Sequence, residues 1–217
     1  MRIYDNYIFD FDGTLMDTSG VIMATIRATI RQMGLPERTE AQCRAIIGIR
    51  TDDAGRWLYP GLDISNEEFA LVFRENYDRI KRAAHEELFP GVRDTLRHLL
   101  DTGHGIAIAS SRRLASLHDY LDGLGMRSCF STIIGADSVS RGKPDPEPVH
   151  KVLEALGWKP AETLVVGDAD VDILMGNAAG CPTCAVTYGN GSMESLRRAN
   201  PTYIINNFTE LTNVATV

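Results

Sequence analysis

Basic residues are in the minority in this 217-residue chain, where 22 lysines and arginines face 29 acidic side chains for a formal charge of −7 at pH 7. That balance excludes a protein held to nucleic acid by a positive face. Long apolar runs are lacking as well. None approaches the ~18 residues needed to cross a bilayer, so no membrane partner is expected. The apolar stretch after Met1–Asn6 is interrupted by Asp10 and Asp12, which is wrong for the apolar region of a signal peptide and points to the cytoplasm. Cysteine is scarce. Cys43 and Cys129 stand alone, and Cys181-Pro-Thr-Cys184 has no second pair to complete a zinc site, so these thiols are expected to be small buried hydrophobes. His85, His98, His104, His118 and His150 are scattered without ligand spacing and are read as structural. What remains, 44% hydrophobic and 24% charged residues, is the composition of a globular protein with a substantial core.

Residues 7 to 11, Tyr-Ile-Phe-Asp-Phe, form an apolar strand pattern broken at once by Gly13 and Thr14. From Thr18 to about Leu88 the pattern is helical and shows no strand. Val21, Ile22, Ile26 and Ile30 recur at helix spacing, Gly34-Leu35-Pro36 closes that run, and further helices are expected at 39 to 47, 52 to 58 and 66 to 84. Trp57 and Tyr59 read as packing within this block. After the hinge-like Phe89-Pro90-Gly91-Val92 the pattern alternates. Helices are expected at 92 to 101, 113 to 124, 146 to 157 and 170 to 179, and strands at 105 to 109, 131 to 135, 163 to 167, 183 to 187 and 203 to 205. Short apolar strands alternating with helices imply a parallel sheet covered on both faces. The expected architecture is therefore a doubly wound α/β core, residues 1–16 and 89–217, with an all-helical cap, residues 17–88, inserted after the first strand.

In such sheets the ligand lies at the carboxyl ends of the strands, and the residues there share one chemistry. Asp10 and Asp12 follow the first strand, Ser110 and Ser111 the second, and Gly167-Asp168 a later one, with Asp172 four residues on. Lys143 stands in Gly-Lys-Pro-Asp-Pro. One aspartate after a strand is usually a turn residue or a helix cap; four carboxylates, a hydroxyl and a lysine converging are something else. The carboxylates cannot all ionise side by side without a cation, and oxygen-only ligands favour Mg²⁺ over zinc or copper. A metal beside a nucleophilic carboxylate, a lysine and a hydroxyl suits phosphoryl transfer, in which catalysis is mostly positioning and charge neutralisation.

Asp10-Phe11-Asp12-Gly13-Thr14, Ile108-Ala109-Ser110, Lys143-Pro144 and Gly167-Asp168-Ala169-Asp170-Val171-Asp172 resemble, in order, the four motifs of the haloacid dehalogenase superfamily. The helical block between the first two resembles the cap of its phosphoglycolate phosphatase and β-phosphoglucomutase-like branch. The resemblance implies that Asp10 is the nucleophile and a metal ligand, and that Asp12 is the general acid/base, offering its backbone carbonyl to the metal. It implies that Asp168 and Asp172 complete the Mg²⁺ site, with Ser110 and Lys143 holding the phosphoryl group. Gly13, Thr14 and Ser111 are expected to contact substrate. Arg50, in the Gly48-Ile49-Arg50-Thr51 loop that matches the specificity loop of similar caps, is expected to grip the leaving group or else to lie on a solvated helix start. Ala169 departs from the serine or threonine common in relatives, which places a supporting hydrogen bond in question, and Asp170 reads as a capping residue.

The implied activity is Mg²⁺-dependent hydrolysis of a small phosphorylated metabolite, such as phosphoglycolate, pyrophosphate or a sugar phosphate, through an aspartyl phosphate. Alternatives on the same residues are a β-phosphoglucomutase-like transfer and a non-catalytic regulator. Asp12 disfavours dehalogenase and phosphonoacetaldehyde hydrolase chemistry, whose enzymes lack an acid at that position. A monomer or homodimer is expected.

Overall fold

The computed structural model describes residues 4–84 and 86–214. Met1–Ile3 and His85, on which two of the expectations above bear, lie outside the described residues. Six parallel strands form the main sheet, labelled in chain order with a two-stranded ribbon. These are β1 (Asn6–Phe9), β4 (Gly105–Ala109), β5 (Ile133–Ile134), β6 (Thr163–Gly167), β7 (Thr183–Val186) and β8 (Tyr203–Ile205), in spatial order β5-β4-β1-β6-β7-β8. The ribbon is made of β2 (Met16–Asp17) and β3 (Glu87–Leu88). Every strand of the main sheet pairs in parallel, with Phe9 level with both Ile108 and Val166. The first strand is thus central, and its carboxyl end opens at the point where the strand order reverses.

The pleat of β1 explains why its sequence is apolar throughout. Tyr7 and Phe9 face one layer with Ile106, Ile108, Leu164 and Val166, while Ile8 faces the other with Ala107, Ala109 and Val165. All three β1 side chains are fully buried, each contributing about 1.5–3 kcal/mol of hydrophobic stabilisation. Helices α5 (Val92–Asp101) and α6 (Leu114–Gly123) cover the first face, and α7 (Glu147–Leu156) and α8 (Asp170–Ala178) the second. Cys184 and Cys181 belong to these opposite layers. Burial pushes each thiol up to about 12, so neither is a reactive pair member.

Between β2 and β3 run α1 (Ser19–Gln32), α2 (Glu40–Arg44), α3 (Thr51–Leu58) and α4 (Asn66–Lys81). They surround a hydrophobic cluster of their own containing Ile26, Ile30, Cys43, Ile46, Ile47, Leu58, Tyr59 and Phe69. Tyr59 is fully buried and donates its hydroxyl to the Pro36 carbonyl at 2.6 Å. Trp57, expected to pack, is 60% exposed, because Ala54 and Leu58 take the inward side of the short α3.

Other boundaries differ from the expectations for local reasons. The reading of 18–88 as strandless fails at β3, where Glu87 and Leu88 pair antiparallel with Asp17 and Met16 across the neck of the helical block; two residues are too few to show a period. The first strand ends at Phe9 rather than residue 11, since the chain turns at Gly13. The strand expected at 131–135 shortens to β5, and α4 stops at Lys81. Helix α9 (Met193–Arg198), capped by the Ser192 hydroxyl on the Ser195 N–H, was masked by its polar, six-residue sequence.

Candidate active site

Beyond Phe9 the chain keeps its register for one more residue, the Asp10 N–H donating to the Val166 carbonyl at 2.9 Å. It then folds over. Leu15 and Met16 donate back to the Phe11 carbonyl, and Gly13 donates to Met16. Gly13 has φ +86°, and a Cβ there would fall 2.2 Å from Asp168 Oδ2. Only glycine both adopts that conformation and lets the loop come so close.

Asp168, at the end of β6, is gripped from two loops. Its Oδ1 accepts from the Thr14 hydroxyl at 3.1 Å, and Oδ2 accepts from the Asn190 N–H at 2.7 Å and the Asn190 amide at 3.2 Å. Asp172 stands in the first turn of α8, its Oδ2 accepting from the Ala169 N–H at 3.0 Å. Ala169 has the extended backbone of an N-cap but supplies no side-chain acceptor. The Lys143 ammonium donates to Asp10 Oδ1 and to Asp172 Oδ1, both at 2.5 Å.

Asp10, Asp168 and Asp172 each present a carboxylate oxygen within 4.8 Å of the others, and all three residues are buried. Burial, with the neighbouring carboxylates adding to it and Lys143 opposing, drives Asp10 well above the ordinary carboxylate range. Burial and then Asp172 push Asp168 up to about 7. Burial works to lower Lys143, but its two carboxylate partners outweigh it and hold it charged. Three buried acids against one ammonium leave negative charge that a low-dielectric site disfavours strongly. The donor set is oxygen only. Both properties fit a hard divalent cation held by these three carboxylates.

Asp12 is placed differently. Its carboxylate lies outside the cluster and is clasped by Arg112, Nη2 donating to Oδ1 at 2.5 Å and Nε to Oδ2 at 3.0 Å, with the Thr18 hydroxyl on Oδ1 at 2.6 Å. Any part of Asp12 in a metal site therefore falls to its backbone carbonyl. The second side of the guanidinium reaches Tyr77 of α4 at 2.7 Å and Ser116 of α6 at 3.0 Å. The Tyr77 hydroxyl meets that of Tyr120 at 2.5 Å, and Tyr120 in turn donates to Glu86. A largely enclosed, bidentate Arg–carboxylate pair fixes both partners in one geometry.

Ser110 follows β4, with its hydroxyl accepting from the Arg112 N–H at 3.2 Å, and Ser111 donates to the Gly48 carbonyl at 2.6 Å. Asp10, Asp12, Ser110, Ser111 and Arg112 line one cavity of about 330 Å³ between the strand ends and the helical block.

Not every expected substrate contact is brought there. Gly13 and Thr14 are turned to Asp168, Thr14 being fully buried, and so support a carboxylate instead. Arg50 does not line the cavity: Nη1 donates to the Ser140 carbonyl at 3.1 Å, and its chain packs where a Cβ on Gly142 would lie 2.3 Å from Cδ. Arg112, Asn190, Tyr77 and Thr18 are the structure's additions to the site. The one sequence signal for Arg112 was a cation two residues past Ser110 in a loop otherwise facing carboxylates.

The family model described as haloacid dehalogenase-like hydrolase matches residues 7–186. "Probable phosphatase IndB" of Dickeya dadantii is 35% identical over 217 residues, covering 96% of this chain and 92% of that protein. A phosphoglycolate phosphatase of Yersinia pseudotuberculosis is 33% identical over 207 residues, 94% of this chain and 89% of that one. A haloacid dehalogenase-like family hydrolase from Streptococcus pneumoniae superposes with a TM-score of 0.83 at 23% identity, covering 97% of this chain and 98% of its own, a likeness of fold.

Proposed function

Because this chain belongs to the haloacid dehalogenase-like hydrolases, in the branch similar to phosphoglycolate phosphatases, we propose that it is a Mg²⁺-dependent phosphatase of a small phosphorylated metabolite. The observation that carries this reading is the buried set of Asp10, Asp168, Asp172 and Lys143, of which Asp10 opens onto the cavity that Asp12 also lines.

Asp10 attacks phosphorus. The bond from its carboxylate oxygen to phosphorus forms as the bond to the leaving oxygen breaks, and Asp12, protonated for this step on an oxygen that lets go of Arg112, gives the leaving oxygen its proton. In the second half water attacks the aspartyl phosphate, Asp12 takes up the proton, and inorganic phosphate leaves with Asp10 regenerated. Lys143 and Ser110 hold the phosphoryl oxygens where charge accumulates. Asp10, Asp168 and Asp172, with the Asp12 backbone carbonyl, would hold Mg²⁺, which when bound neutralises the carboxylates and the phosphoryl oxygens. Arg112 fixes Asp12, and through Tyr77 it ties that residue to α4. Residues 17–88 act as a cap that keeps bulk water off the intermediate. Phosphoglycolate, pyrophosphate and sugar phosphates are the first metabolites to test.

The test is phosphate release by purified protein across a panel of phosphorylated metabolites, with Mg²⁺ and with chelator, alongside Asp10→Asn. Release that requires Mg²⁺ and vanishes in the variant is expected. A flat profile under every condition would refute the proposal, and ³²P returning to a sugar rather than appearing as phosphate would replace it with a mutase.

A further inference from the structure

The cavity over Asp10 has more room, and a less polar roof, than a phosphoryl group needs. Its volume of about 330 Å³ falls within the range of pockets that enclose whole ligands, roughly 300–1,000 Å³. The roof is Ile22 and Ile26 of α1, Ile46, Ile47 and Ile49 after α2, and Phe73 of α4. Ile26, Ile46 and Ile47 also belong to the core of the helical block, so this wall is backed by packed side chains.

Of the charged groups in the lining three are cations with partners of their own and a fourth, Arg113, lies 3.6 Å from Asp137, while Asp78 and Asp119 add negative charge. Arg112 is spent on Asp12, Arg74 donates to Asp52 at 3.2 Å, and the Lys81 ammonium sits over the Tyr120 ring at 3.4 Å. A carboxylate held under the isoleucines would lose water with no donor among those side chains, and Asp78 and Asp119 elsewhere in the lining would repel it. A second phosphoryl group would do worse. An apolar group there would instead be desolvated against an apolar wall.

We propose that the preferred substrate is a phosphate monoester whose leaving group carries a hydrocarbon body of several carbon atoms, seated under Ile22, Ile49 and Phe73. This rests on the phosphatase reading and narrows it. The side chains of these three residues are only partly buried, so they form the part of the roof that a ligand can cover. Specificity in such a pocket is graded: each methylene buried contributes about 0.8 kcal/mol, or roughly fourfold in kcat/KM.

The experiment is a series of n-alkyl phosphates from methyl to hexyl, with phosphoglycolate beside them, assayed for phosphate release at saturating Mg²⁺. The chemistry at phosphorus stays constant along the series while the apolar body grows. The expected result is kcat/KM rising about fourfold per methylene and overtaking phosphoglycolate. In Ile49→Asn and Phe73→Ala, each first shown to melt cooperatively, the hexyl-to-methyl ratio should fall at least about tenfold. Hydrolysis of the series with a flat or falling trend overturns the proposal and leaves the phosphatase reading standing. A trend unchanged in both variants overturns the assignment to this wall. Release from no ester at all refutes the phosphatase reading itself.

Discussion

In the metal-free protein the carboxylate cluster is open to titration, and the sign of the effect on stability follows from the direction of the shifts. Burial and Asp172 push Asp168 from an ordinary 3.8 up to about 7, and Asp10 moves the same way. A carboxyl with a folded-state pKa above its unfolded value stabilises fully below the unfolded pKa. That contribution is lost as pH rises through the folded one. For Asp168 the window therefore runs from about 4 to about 7, at about 1.4 kcal/mol per pH unit. Between pH 5 and pH 8 the metal-free protein should lose about 3 kcal/mol from Asp168 alone, with Asp10 adding to it. Lys143 is raised, so what it contributes is lost only at far higher pH and does not enter this slope. A divalent ion at a hundred times its dissociation constant stabilises by about 2.7 kcal/mol, and it acts where the carboxylates are ionised. Mg²⁺ should thus offset most of the loss at pH 8. Urea unfolding of wild type and Asp168→Asn at pH 5, 6.5 and 8, with chelator and with Mg²⁺, measures all of this. Metal-free stability that stays level or rises from pH 5 to pH 8, or an Asp168→Asn slope equal to wild type, would refute the reasoning.

Arg112→Met leaves the partly buried Asp12 carboxylate without its cation and should destabilise by about 2–4 kcal/mol. Tyr77→Phe removes one hydrogen bond to the same guanidinium and should cost about 1 kcal/mol. Equal losses in the two variants would mean that the Asp12–Arg112 pair is not the anchor of that network. Ala169→Ser gives α8 the capping acceptor it lacks, and its extended φ and ψ already suit one; a gain of about 1 kcal/mol is expected in urea unfolding. Gly13→Ala forces a side chain into a positive-φ position 2.2 Å from Asp168. It should destabilise by about 1–3 kcal/mol and weaken Mg²⁺ binding in a calorimetric titration, the second effect separating a displaced carboxylate from simple backbone strain.

Much of this molecule is legible along the chain because its cues are local. The doubly wound sheet announces itself in strands such as Tyr7–Phe9 and Leu164–Val166, apolar on both faces because helices cover both. The carboxylates and Lys143 are legible because strand ends are where such sheets gather chemistry, and the structure does bring Asp10, Asp168, Asp172 and Lys143 together. Short elements escaped notice because β2, β3 and α9 each span too few residues for a period to show.

What the chain order could not reveal is which side chains near the strand ends face a ligand and which face one another. Thr14 and Gly13 sit in the same motif as Asp10, yet they serve Asp168, more than 150 residues away. Arg50 and Arg112 are both cations in loops bordering the cavity. One is drawn off by the Ser140 carbonyl, and the other is buried against Asp12 and Tyr77. Sequence alone determined the sheet, the helical insertion and the acidic residues of the site, since periodicity and residue type specify those locally. Tertiary packing decided the partner of each charge and the apolar roof over Asp10, because pairing and enclosure arise only where distant segments meet.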